Sequence, residues 1–124
     1  MELKNTIDIK KELKKVSNKD YAEKLQRFFK TREGEYGEGD IFIGVRVPDI
    51  RKIVNKHWKE ISLKQVSEFL KSKIHEERMF ALLVLIKKFE NGFENEKKII
   101  FDLYINNKNI NNWDLVDISA GKIF

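Results

Sequence analysis

The chain has 124 residues, 41% hydrophobic with nine Phe but only one Pro and six Gly: enough core for one compact domain, and too few turn residues for a β-sandwich. It has no Cys, which excludes disulfides, thiolate zinc sites and cysteine nucleophiles, and no apolar run approaching the roughly 20 residues that cross a bilayer. With a net charge of +5 and no secretion signal in Met1–Asn5, a cytoplasmic protein with a nucleic-acid partner is one expectation; lysines scattered over a solvated surface are the other.

Ile7, Leu13 and Val16 predict a first short helix with lysines on its outer face. Ser17-Asn18-Lys19-Asp20 reads as an N-cap with an acid three residues on, and Tyr21, Leu25, Phe28 and Phe29 then follow at helical spacing. From Thr31 to Val45 the pattern breaks around Gly34, Gly37, Gly39 and Gly44, so a loop is expected. That loop follows no strand and lacks the Lys-Ser/Thr pair of a nucleotide-binding loop. Glu33, Glu35, Glu38 and Asp40 in or beside it would repel phosphate. Ile41-Phe42-Ile43 comes nearest to a strand and is too short.

Val47-Pro48 suits the first turn of a third helix, continued by Ile50, Ile53, Val54 and Trp58. Arg46, Arg51 and Lys52 flank its start, where the positive end of the helix dipole can join them in receiving a phosphate. Ion pairing with the preceding acidic loop explains the same residues equally well. Ser62-Leu63-Lys64-Gln65 is a capping box opening a helix with the stripe Leu63, Val66, Phe69 and Leu70. Met79 to Ile86 is apolar throughout, which predicts a helix surrounded by neighbours, ended by Asn91-Gly92 with Gly as a left-handed cap. Ile99, Ile100, Leu103 and Tyr104 mark another helix. His57 and His75 show no metal-ligand spacing and are expected at the surface or core edge, and neither Ser67 nor Ser119 has a partner spaced for nucleophilic chemistry.

A last helix is expected over Trp113 to Phe124. Trp113 and Asp117 are four residues apart, which on a helix stacks an indole above a carboxylate on one face. Such a pair can hold a sugar or base and stabilise positive charge on it. It can also be plain structure, with Trp113 in the core and Asn111 or Asn112 as N-cap. Asp117 lies too far into the helix to gain much from the dipole, and it interrupts the stripe Leu115, Val116, Ile118. The sum is six or seven helices of about 10–17 residues with short connections, an all-α fold of antiparallel pairs stacked as a solenoid. The apolar end Ser119–Phe124 leads us to expect a longer protein or self-association through that end.

Four segments in order, Arg27–Thr31, Tyr36–Pro48, His75–Leu82 and Asn111–Asp117, resemble the bacterial DNA alkylation repair enzymes of the HEAT-like-repeat glycosylase type. The resemblance runs from about Tyr21 to the end of the chain. It implies a HEAT-like α-solenoid whose cationic concave face cradles duplex DNA, and hydrolysis of the N-glycosidic bond of N3- or N7-alkylated purines without metal or cofactor. In that frame Asp117 offsets the sugar's developing charge and orients water, while Trp113 presses its ring against the cationic nucleotide. Phe28, Lys30, Arg46, Arg51 and Lys52 become the candidate DNA-binding residues. Phe28 stands where some members carry Tyr, so a hydroxyl is missing. The family's further Arg and Trp would lie beyond Phe124, so residues 1–124 are expected to form a single helical-repeat domain, the first half of a longer solenoid, that need not catalyse alone. The alternative is a non-catalytic helical-repeat scaffold binding DNA structures or protein partners.

Overall fold

A computed structural model describes residues 2–28 and 40–105. They form six α-helices: α1 Glu2–Lys15, α2 Lys19–Phe28, α3 Val47–His57, α4 Leu63–Leu70, α5 His75–Asn91 and α6 Glu94–Ile105. The fold is all-α, and its packing is compatible with a HEAT-like solenoid. The expected last helix, the apolar C-terminal end, Phe29 and the glycines and glutamates of 33–39 lie outside the described residues.

The core is built around α5, which packs against α1, α3, α4 and α6. Every residue from His75 to Ile86 is buried: Met79–Ile86 as an apolar run surrounded by neighbours, and His75–Arg78 as buried polar residues. Around it α3 contributes Ile50, Ile53 and Val54, α4 contributes Val66, Phe69 and Leu70, and α6 contributes Ile100 and Tyr104. In α1 the inward pair is Ile9 and Leu13, while Ile7 and Val16 are exposed. The reason is angular. Ile9 and Leu13 are one turn apart, whereas Ile7 and Leu13, six residues apart, point to different sides. The helix spans 14 residues and is longer than Ile7, Leu13 and Val16 suggested.

Helix ends follow local chemistry with two exceptions. Ser62 and Gln65 form the capping box, and the Gln65 amide also donates to Thr6 Oγ1 at 3.0 Å, tying α4 to α1. Pro48 lies in the first turn of α3. At α2 the cap is Asn18 rather than Ser17: Asn18 Oδ1 accepts from Tyr21 N at 2.9 Å, and Ser17 Oγ instead donates back to Lys14 O. Gly92 is extended (φ −92°, ψ 164°) and not a left-handed cap. Its need for glycine is spatial, since a Cβ there would lie 2.9 Å from Lys88 O.

The segment 40–45 is no loose loop. Ile41 bridges Ile74 in parallel, accepting from His75 N at 2.7 Å and donating to Lys73 O at 3.1 Å. Gln26 clamps it from α2, accepting from Phe42 N at 2.7 Å and donating to Asp40 O at 3.1 Å. The two histidines are not peripheral. His75 is buried, stacked on Phe42 with ring centroids 4.4 Å apart, and its Nδ1 meets Asp40 at 3.0 Å. His57 is buried at the end of α3, its Nε2–H donating to Glu12 of α1.

Glu12 also accepts from Lys56 at 2.7 Å, so one carboxylate joins α1 to α3. Burial raises its pKa, but the hydrogen bonds from Lys56 and His57 outweigh burial and leave it below the ordinary 4.5. A carboxylate whose pKa is depressed by folding stabilises above its unfolded pKa and loses that contribution as pH falls through the folded value. Glu12→Gln is therefore expected to lower stability by on the order of 1 kcal/mol near neutral pH. The gap to wild type should close in acid, as denaturant unfolding at both pH values would measure.

Candidate nucleic-acid interface

Between α3 and α5 lies an open depression of about 220 Å³. Arg51 and Asn55, one turn apart on α3, face Lys87 and Glu90 on α5 across a floor that includes Val54 and Leu83. The helices supply this geometry for ordinary reasons. Val54 and Leu83 are core residues, so burying them turns the adjacent polar positions of both helices outward along a shared edge. Arg51 is exposed and Lys87 half-buried, and neither forms an ion pair among the described residues. Two cations against the single carboxylate of Glu90 leave the depression positive, with Asn55 as a neutral donor. Cationic and neutral donors of this kind are the groups from which phosphate oxygens accept hydrogen bonds.

The sequence-predicted residues distribute unevenly around it. Arg51 lines the depression; Lys52, the next residue, is exposed on α3 but does not. Arg46 is the N-cap of α3, with its guanidinium 4.3 Å from the Tyr21 ring centroid, so a cation–π contact to α2 orients it. Asp49 in the first turn already offers negative charge to that helix end, which weakens the case for a phosphate there. Phe28 closes α2 and is 75% exposed. Lys30, Trp113 and Asp117 lie outside the described residues. Lys87 was not singled out from sequence, because it follows an apolar run as one of a pair, Lys87-Lys88, with nothing local to say which of them turns toward α3.

The ion pairing considered for Arg46, Arg51 and Lys52 goes elsewhere at Asp40, the described acid of that region. Its carboxylate is buried against Arg78 Nη2 at 2.5 Å and His75. Arg78 also donates to Ser72 O at 2.9 Å. Beside this cluster Glu76 accepts from the backbone N–H groups of Ile43, Gly44 and Val45 at 3.1, 2.8 and 3.1 Å. His75, Glu76 and Arg78 thus anchor the segment that leads into Arg46 and α3, while Glu77 of the same polar quartet faces Lys10 of α1. A polar quartet directly before the apolar run Met79–Ile86 was the anchor's sequence signal. Among the described residues no group of three or more His, Asp or Glu is placed to hold a metal ion. No helix among them is long and apolar enough to cross a membrane.

A family model described as DNA alkylation repair enzyme matches residues 9–124. Searches of curated proteins and of solved structures each returned no match. The matched span begins at Ile9 in the core of α1, takes in the α3/α5 depression and the anchoring residues His75, Glu76 and Arg78, and continues through the Asn111–Asp117 heptad. The chain therefore belongs to the DNA alkylation repair enzyme family, with a role in DNA repair and DNA as its partner.

Proposed function

We propose that this chain is the N-terminal, single-domain part (1–124) of a cytoplasmic DNA glycosylase that hydrolyses the N-glycosidic bond of N3- and N7-alkylated purines in duplex DNA. The observation that carries the reading is the family match extending across Asn111–Asp117, where an indole and a carboxylate stand four residues apart. An alkylated purine already bears positive charge and leaves readily. What remains for the protein is to stabilise the cationic sugar and position water, and Asp117 suits that task. Trp113 offers its ring face to the cationic nucleotide. Arg51, Lys87 and Asn55 hold the phosphate backbone, with Arg46, Lys52, Lys30 and Phe28 as further contacts on the DNA side. The reaction in this reading calls on no metal or cofactor.

The test compares the full-length protein with Asp117→Asn for release of 7-methylguanine from methylated duplex DNA. A loss of about 10²-fold or more is expected, the magnitude for removing a group that stabilises transition-state charge. In the same samples, Arg51→Ala/Lys87→Ala should leave the chemistry intact once DNA is bound and flatten the plot of log affinity against log salt by about two phosphate contacts. Equal release by wild type and Asp117→Asn would remove Asp117 from the mechanism. Salt-dependent DNA binding with no release by wild type would make the protein a binding scaffold.

A further inference from the structure

A second depression, of about 520 Å³, lies between α1, the start of α2 and the 40–45 segment. Phe42, Ile43 and Ile74 give it apolar ground, and Lys10, Lys14 and Lys19 stand around it. Lys10 and Lys14 are one helical turn apart on α1, so they project from the same face, and Lys19 opens α2. Lys10 lies 3.9 Å from Glu77, whereas Lys14 and Lys19 are exposed and form no ion pair among the described residues. One carboxylate against three ammonium groups leaves the rim strongly cationic around a hydrophobic floor.

Lys10 and Glu77 also line a smaller depression of about 170 Å³ that extends toward Lys71. The shared residues form a wall common to the two, and the smaller one adds Glu68 as a further carboxylate, so the cationic groove is the larger depression alone. It is separate from the α3/α5 face: Glu77 and Lys87 stand ten residues apart on α5, about 15 Å along the helix axis. Duplex DNA would use the lysines but has no group to place on the apolar floor. A chain segment combining carboxylates with one bulky apolar side chain uses both.

We propose that this groove docks an acidic peptide segment of a partner protein, its carboxylates meeting Lys10, Lys14 and Lys19 and one apolar side chain covering the half-buried Ile43 and Ile74. Docking there leaves the α3/α5 depression open, so partner and DNA bind together. The experiment titrates the full chain into a fluorescein-labelled peptide, Asp-Asp-Glu-Leu-Phe-Asp-Asp, and reads anisotropy. Saturable binding is expected, weakened about tenfold by Lys14→Glu/Lys19→Glu and about tenfold by replacing Leu-Phe in the peptide with Ala-Ala. Both lysines are exposed, so the double variant keeps its fold, which circular dichroism checks, and its DNA affinity should stay unchanged. Four results overturn the proposal: no binding, binding indifferent to the Leu-Phe pair, displacement of the peptide by duplex DNA, or a dimer seen by sedimentation that Lys14→Glu/Lys19→Glu dissolves while the peptide does not bind.

Discussion

Glu76→Ala is expected to cost about 4 kcal/mol, a large part of the 5–15 kcal/mol that holds a domain of this size together. Glu76 is 1% exposed, and its carboxylate receives three consecutive backbone N–H groups, from Ile43, Gly44 and Val45. Alanine leaves those donors without their acceptor in a space closed to water, and each unsatisfied buried donor costs about 1–3 kcal/mol. Part of that is recovered if water enters the space left by the side chain. Glu76→Gln keeps one carbonyl oxygen but turns an amide toward the same donors, so its loss should be intermediate. Denaturant unfolding of wild type and both variants measures the order. A Glu76→Ala protein within about 1 kcal/mol of wild type would mean that the three bonds contribute little beyond what water supplies. The effect reaches function through geometry. The segment that Glu76 holds ends at Arg46, the N-cap of α3, and α3 carries Arg51 into the cationic depression.

Gly44→Ala is expected to be comparably severe, at about 3 kcal/mol or more, for a steric reason. Gly44 has φ +82°, in the left-handed region that side chains disfavour. A Cβ would stand 1.9 Å from Asn18 O and 2.7 Å from Ala22 N, both backbone atoms of the corner between α1 and α2. Neither can rotate away, so the corner must separate from the segment, losing the bond from Asn18 N to Gly44 O at 2.8 Å. Hydrogen exchange distinguishes this variant from Glu76→Ala. The amides of Asn18 and Ala22 should lose protection first, since the damage begins at the α1–α2 corner rather than at α5. Unchanged protection at those amides in a folded Gly44→Ala protein would contradict the packing described.

The candidate DNA face was half legible. Arg51, which lines the depression, is singled out by sequence because it flanks Pro48, and proline in the first turn is a local mark of a helix start. Lys87 is not, because its role depends on α3 lying alongside α5, a relation between distant parts of the chain. Asp40 looked like one more repulsive acid of a glycine-rich loop, yet it is the buried partner of Arg78 and His75. His57 and His75 were placed too far outward for the same reason: a carboxylate remote in sequence makes an interior histidine tolerable.

Apolar spacing, the Ser62–Gln65 box, Pro48 and the unbroken run Met79–Ile86 were enough by themselves to establish an all-helical chain and where most of its helices lie. Such signals act within a turn or two of backbone and need no knowledge of distant partners. The four segments Arg27–Thr31, Tyr36–Pro48, His75–Leu82 and Asn111–Asp117, taken in order, carried the resemblance to the repair family. Tertiary structure decided the rest: Ile9 over Ile7 as the inward side of α1, Glu76 as the anchor of 43–45, Gly44 as the point of closest approach, and Lys87 as the companion of Arg51. Each of these is a meeting of atoms far apart along the chain, and burial and hydrogen bonding select such meetings only once the helices have packed.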